Sequence, residues 1–408
     1  MSPPANLFPM PYGDGTLHHR RAPFLLFDDA RPVGAAPARL YRDPVGMIVA
    51  RLPQEVAPAL ERLAEAVRAG RHAAGYCAYE LGFALEPRLE GLASAPTDGD
   101  MPLLWFGLFE SVELAAASAV PAMLPDAAAA KVNAMTPMVS RADYLTAFGR
   151  VQDMIRAGDI YQANLTFPCE LAISGDPLAL YAAIRGRQQA PHGGIVSTGQ
   201  GMLLSFSPEL FFALGGGRLA ARPMKGTATR RADRQEDAAA MAALAADPKQ
   251  RAENLMIVDL LRNDLSRVSV AGSVKVPDLF RVETYPTVHQ MVSDVQSVLR
   301  PGLGPVDVLR ALFPCGSITG APKLRAMEVI AAVEPHGRGA YTGAMGWIDP
   351  EGDASFNVLI RTLAIGADPT RARIGLGSGV IADSTGPEEW AECLAKARFL
   401  TDGWRSEG

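Results

Sequence analysis

Short glycine turns set the strongest limit on the architecture open to this sequence. Between residues 201 and 384, four stretches carry β-prone residues punctuated by Gly or Asp-Gly breaks: GMLLSFSP, ELFFALGGGRLAARP, YTGAMGWIDPEGDASFNVLIRTLAI and ARIGLGSGVIADS. Breaks this short can only return a strand beside itself, so they favour antiparallel pairing. IYQANLTFPCEL reads as a further strand. Before it, Ser140 with Asp143 forms a capping box, Tyr144, Phe148, Val151 and Ile155 recur at helical spacing, and Gly158 ends the helix. Further helices are predicted over 177–189, 233–246, 250–265, 305–312, 322–333 and 387–401. Hairpin strands with separate helix groups indicate an α+β fold rather than a βαβ array.

The clearest break in composition is LAAASAVPAMLPDAAAA followed by KVNAMTP. It reads as a connection over 114–138 between an N-terminal region, 1–113, and a larger region, 139–404. Two prolines and an aspartate keep this apolar stretch from spanning a bilayer, and no membrane association is expected. With 48% hydrophobic and 20% charged residues, the composition is that of an ordinary soluble protein. A net charge of −5 argues against a broad basic surface for nucleic acid. Cys77, Cys169, Cys315 and Cys393 are scattered, which suggests neither disulfides nor zinc. MSPPANLFPMPYGDG lacks the pattern of a signal peptide, so a cytoplasmic location is expected.

Several charged residues occupy settings that a solvated side chain does not need. In RPMKGTATR, Lys225 sits between a proline turn and Gly226-Thr227. On the last helix, Glu389, Glu392 and Lys396 fall within roughly 60° of one another, beside the apolar arc of Trp390, Leu394, Ala397 and Leu400. The alternative there is a solvated Glu392–Lys396 pair. AENLMIVDLLRNDL is apolar almost all round and reads as a buried helix with Glu253 in its first turn; a simple cap is the alternative role. Inward carboxylates from two helices suit Mg²⁺, which takes one or two carboxylates plus waters and a substrate oxygen. CGSITGAPK leads into a helix, so the amides near Thr319 and Gly320 can face an anion. Gly377 and Gly379 flank Ser378 and permit close backbone approach. Arg361 and Tyr341 stand in apolar or glycine-rich strands, where an arginine either grips a carboxylate or makes a structural ion pair. His289 reads as either a backbone-bonded core histidine or a catalytic one. Glu209, leading into an apolar strand, is a plausible proton donor if partly buried.

Taken together, GDIYQANLT, SFSPELFF, RPMKGTATR, RAENLMIVDLLRNDLSRV, VETYPTVHQMVSDV, LFPCGSITGAPKLRAMEVI, GAYTGAMGWI, FNVLIRT and GSGVIADSTGPEEWAECLAKA resemble the chorismate-utilising enzymes. They follow that family's order over most of 140–400, and RAPFLLFDDARP and AGYCAYELGFALEP resemble its N-terminal half. The resemblance implies one intertwined unit in which two stacked, largely antiparallel sheets are flanked by helices, an α/β/β/α sandwich. It also implies Mg²⁺ held by Glu253 and Glu392, with Glu389 ligating through water. By the same resemblance, Glu209 is the general acid for the C4 hydroxyl of chorismate, and Lys225 is a nucleophile at C2. Tyr341, Arg361 and the Gly377-Ser378-Gly379 loop would grip the enolpyruvyl carboxylate. Gly226, Thr227, Thr319, Gly320 and Lys396 would meet the ring or its carboxylate, and His289 would border the ring.

The pair Gln162 with Lys225 sorts the family's reactions. Anthranilate-forming relatives usually have alanine at the position of Lys225, and isochorismate- and salicylate-forming relatives carry a lysine base at that of Gln162. The resemblance therefore implies amination of chorismate to 4-amino-4-deoxychorismate, on the route to p-aminobenzoate and folate. Anthranilate formation and an inactive chorismate-binding homologue are the alternatives. Ammonia would come from a glutamine amidotransferase, and a lyase would take the product. Both are expected on separate chains, since no Gly-x-Cys-x-Gly elbow occurs and the sequence ends at Gly408. Two departures stand out. Gln250 replaces a commonly acidic residue, and Ser378 stands where many relatives have glycine.

Overall fold

Among the described residues every strand pair is antiparallel, and the pairs assemble into two ten-stranded sheets. The computed structural model describes Leu17 and residues 23–93, 101–285 and 288–401. The opening MSPPANLFPMPYGDG lies outside the described residues, as do Pro286, Thr287 and the stretch 402–404.

The first sheet runs edge to edge through Gly320–Ala321, Gln162–Gly175, Arg371–Val380, Thr362–Ile365, Met202–Ser207, His192–Ser197, Phe24–Asp28, Ala38–Arg42 and Glu113–Ala115. The second runs through Met224–Thr229, Val288–Val298, Arg218–Arg222, Leu210–Gly215, Ala354–Val358, Ala344–Ile348, His72–Cys77, Leu104–Phe109 and Gly46–Ala50. The expected hairpins are present. Leu210–Gly215 returns as Arg218–Arg222 across Gly216 and Gly217, whose φ angles of 55° and 74° suit the primed turn that follows the twist of the strands.

Three apolar layers hold the sandwich together. One lies between the first sheet and the helices Arg141–Arg156, Pro177–Gln188, Lys323–Val333 and Gly386–Lys396, with Tyr144, Leu180, Ile330 and Cys393 buried. A second lies between the other sheet and the helices Pro53–Arg68, Pro248–Ser266 and Pro305–Leu312. Leu25, Tyr41, Tyr76, Trp105, Phe109, Val196, Leu203 and Met345, drawn from both sheets, form the third layer between them. This is the α/β/β/α arrangement expected.

Helix ends follow their caps. The side chains of Ser140, Asp176, Asp233 and Asp247 each accept an amide hydrogen in the first turn of the following helix. Two expectations change. The segment 114–138 is not only a connection, because Ala130–Pro137 pairs with Gln162–Gly175 and buries Ala130 and Val132. Residues 24–115 supply strands to both sheets. The helix Pro248–Ser266 is not buried all round: Asn254, Ile257, Val258, Leu261 and Leu265 pack inward, while Leu255 is 43% exposed. Among the described residues no helix is long and apolar enough to cross a membrane.

Candidate active site

Two neighbouring strands of the first sheet divide their side chains cleanly. Ala163, Leu165 and Phe167, with Ile374, Leu376 and Val380, enter the helix-covered core. Gln162, Asn164 and Thr166 alternate with them, and Gly375, Gly377 and Gly379 do the same on the other strand, so both sets face the second sheet. The glycines leave a floor without side chains. A Cβ on Gly375 would lie 2.0 Å from the Tyr341 ring, and one on Gly377 2.6 Å from the Thr166 methyl.

Lys225 reaches this floor from the second sheet. The register of Met224–Thr229 against Val288–Val298 shifts between Met224 and Thr227, and Gly226 there has φ +89°. This bulge turns the lysine inward. The Gln290 amide fixes it, donating to the Gly226 carbonyl at 2.8 Å and accepting the Thr227 hydroxyl at 2.9 Å. A Cβ on Gly379 would lie 3.2 Å from Lys225 Nζ and 2.8 Å from Gln162 Nε2. Burial holds the amine below its ordinary pKa, and nearby Lys396 adds to the effect. Among the described residues the buried Gln162 Nε2 has no hydrogen-bond acceptor, so a donor and a suppressed amine meet over a glycine.

Carboxylates complete one wall. Glu209 is buried, and burial pushes its carboxyl up to about 7 against the opposing hydrogen bond from Ser317. Glu253 is also raised, by burial and then by the charges of Glu392 and Glu389, with Lys225 and Lys249 opposing. Glu389 Oε2 is buried with no hydrogen-bond partner among the described residues. Glu392 pairs with Lys396 at 2.8 Å, the solvated alternative from the sequence, while Lys396 also donates to the Gly377 carbonyl at 2.8 Å. Among the described residues, no three His, Cys, Asp or Glu side chains lie close enough together to enclose a metal ion. The donor chemistry still fits a hard cation, because an orphaned carboxylate oxygen and a carboxylate destabilised by its acidic neighbours both gain from one.

At the other end, Arg361 adopts φ +49°, a conformation that non-glycine residues seldom take. Its guanidinium donates to Gln188 Oε1 at 3.1 Å, and among the described residues no carboxylate pairs with it. Burial lowers its pKa, so an anionic ligand would find an uncompensated cation there. Burial also keeps the Tyr341 phenol protonated. Gly320 is held small by close approach, since its Cβ would lie 2.1 Å from the Gln162 carbonyl.

Four expected contacts change. The Ser378 hydroxyl faces the core, 3.4 Å from Tyr144 Oη and near Cys393, so only its backbone can border the floor. The Thr319 hydroxyl turns back onto the Gly316 carbonyl at 3.0 Å, and the Thr227 hydroxyl onto Gln290. His289 is buried with both ring nitrogens occupied, by Thr284 Oγ1 at 2.9 Å and Asp237 Oδ1 at 3.0 Å. Both partners are side chains, where the sequence offered a backbone-bonded core histidine as one reading. Gln250 lies against Gly226, where a Cβ would meet Oε1 at 3.1 Å.

Sequence reasoning did not single out Gly375, although the strict alternation with Gly377 and Gly379 carries the signal. It also missed Arg338, which is buried and donates to Glu334, Ile318 O and Asn164 O, tying the strand of Gln162 to the Thr319 loop. Only the fold brings those groups together.

Residues 23–402 match the family described as chorismate binding enzyme. The chain is 43% identical to aminodeoxychorismate synthase component 1 of Escherichia coli (strain K12) over 262 residues, 64% of this chain and 57% of that protein. It is 39% identical to anthranilate synthase component 1 of Thermus thermophilus over 261 residues, 64% of this chain and 56% of that protein. The matched region thus spans a little over half the length of these relatives. The crystal structure of anthranilate synthase component I from Streptococcus pneumoniae superposes with a TM-score of 0.78 at 24% identity, covering 91% of this chain and 93% of that one.

Proposed function

The chain belongs to the chorismate binding enzyme family, and on that premise we propose that it converts chorismate and ammonia to 4-amino-4-deoxychorismate. The observation that carries the reading is the position of the half-buried Lys225, whose amine lies beside Gln162 and Gly379 and is held below its ordinary pKa. Identity with aminodeoxychorismate synthase component 1 supports the same choice.

The substrate lies on the glycine floor, with its enolpyruvyl carboxylate toward Arg361 and Tyr341. Neutral Lys225 adds to C2, the ring double bonds shift, and the C4–O bond breaks. Glu209 gives its proton to the departing oxygen, which leaves as water. Ammonia then forms a bond to C4, the double bonds shift back, and the C2–N bond to Lys225 breaks, returning the amine. Gln162 supplies an amide donor where a base would be needed for hydroxylation. Glu253, Glu392 and Glu389 would hold Mg²⁺, which would supply positive charge to offset the ring carboxylate of the substrate. Ammonia comes from a glutamine amidotransferase on another chain, and a separate lyase consumes the product.

Incubating the protein with chorismate, Mg²⁺ and ammonium tests the assignment by product identity. The expected product gives p-aminobenzoate once a lyase is added. Fluorescent anthranilate without a lyase would overturn the reading, and no turnover at high ammonium would favour an inactive chorismate binder.

A further inference from the structure

We propose that Cys315 and Ser317 form a two-link hydrogen-bond chain that positions Glu209 as the proton donor, by occupying Oε1 and leaving the proton on Oε2. This rests on the reading of Glu209 as the general acid and goes further, since it names what orients that acid.

The geometry leaves one direction for the chain. Ser317 Oγ lies 2.7 Å from Glu209 Oε1 and 3.3 Å from Cys315 Sγ, and all three residues are buried. An ionised carboxylate only accepts, so the single hydroxyl proton of Ser317 goes to Glu209. The contact to Cys315 must then run from S–H to Ser317 Oγ. Burial pushes the Cys315 thiol up to about 12, which keeps its proton in place. The backbone of Glu209 is fixed independently: its amide donates to Ser207 Oγ at 3.2 Å, and Ser207 donates to the Val358 carbonyl at 2.6 Å. Among the described residues no other side chain hydrogen-bonds to the Glu209 carboxyl; the charges facing it from other elements are Lys225 and Lys396.

When Glu209 is protonated, the Ser317 hydroxyl still donates to Oε1, now the carbonyl oxygen of the acid. The transferable hydrogen resides on Oε2. Ser317 also stabilises the carboxylate left after transfer, and so favours the transfer itself. Ser317 and Cys315 are therefore positioning residues, and their removal changes how Glu209 titrates.

The test is the pH dependence of kcat for product formation, at fixed free ammonia with saturating chorismate and Mg²⁺. Ser317→Ala is expected to lower kcat about tenfold and move the alkaline limb up by about one pH unit, the effect of losing one hydrogen bond to a charged group. Cys315→Ala should shift the limb the same way by less, and Ser317→Cys, a weaker donor, should fall between Ser317→Ala and the parent. Infrared titration of the buried carboxyl reads the same shift without turnover, and the Cys315→Ala and Ser317→Cys variants decide the matter should Ser317→Ala not fold. Glu209→Gln separates the two layers. Full activity in that variant would remove Glu209 as the acid. Loss of activity there, with profiles and titrations unchanged in the Ser317 and Cys315 variants, would overturn the hydrogen-bond chain alone.

Discussion

Between the two sheets one region is packed with aromatic rings and another is faced with glycines, although the strands on either side belong to the same pair of sheets. In the packed region Tyr41, Tyr76, Trp105 and Phe109 interlock, with the Tyr41 and Phe109 ring centroids 5.2 Å apart. In the other region the facing positions are Gly375, Gly377 and Gly379, approached by Tyr341, Thr166, Gln162 and Lys225. Aromatic rings make the first region a source of stability. Glycines give up that packing in the second, and the unpaired charges it leaves destabilise it further.

This contrast breaks most decisively at Lys225. Lys225→Ala should lose on the order of 10³-fold or more in aminodeoxychorismate formation, the scale of removing a covalent nucleophile, with the thermal unfolding midpoint unchanged or raised. A variant with undiminished rate and the same product would exclude an obligatory adduct, and mass spectrometry of the intact protein can seek the adduct directly. Phe109→Ala reverses the pattern. Removing this fully buried ring should cost about 3–5 kcal/mol in urea unfolding, while kcat of the folded protein stays within about twofold. Gly379→Ala joins the two measures. Its methyl meets Gln162 Nε2 and Lys225 Nζ, so kcat/KM should fall by roughly 10- to 100-fold, about 1.4–2.7 kcal/mol, with little change in the midpoint.

Smaller effects refine the comparison. On the proposed mechanism the amine of Lys225 must be neutral and the carboxyl of Glu209 protonated, so kcat should be bell-shaped. It should rise as Lys225 deprotonates below its ordinary range and fall above about pH 7 as Glu209 ionises. A plateau reaching well past pH 8 at fixed free ammonia would deny Glu209 its role. Glu253→Gln should raise the Mg²⁺ concentration for half-maximal rate about tenfold. In chelator the same change should slightly raise the unfolding midpoint, because it removes a carboxylate that burial, and then the charges of Glu392 and Glu389, disfavour.

Local signals in the sequence were sufficient where neighbours along the chain decide the structure. Gly216 and Gly217 mark their hairpin, and Ser140 marks its helix, because a turn or a cap is settled within a few residues. The strand Ala130–Pro137 was hidden because alanines carry little periodic contrast, and its identity comes from pairing with Gln162–Gly175. The helix Pro53–Arg68 was not read from the sequence either; Pro58 lies within it. At the site, residue types announced Lys225, Glu253 and Arg361, but not which groups their neighbours engage. His289 finds Asp237 across the strand-helix packing, and Ser317 meets Glu209 over a separation of 108 residues. Such partners are products of the tertiary fold.

The strand Phe24–Asp28 lies inside the first sheet, with Ala38–Arg42 on one side and His192–Ser197 on the other. Its first neighbour leaves the ribosome almost with it; the second follows only after a long stretch of translation. Until then an apolar strand has an open flank that any extended polypeptide could zip onto. Assembly of this protein is therefore slow and vulnerable to aggregation while synthesis is incomplete, and cutting it near residue 139 would leave two sticky halves rather than two working parts.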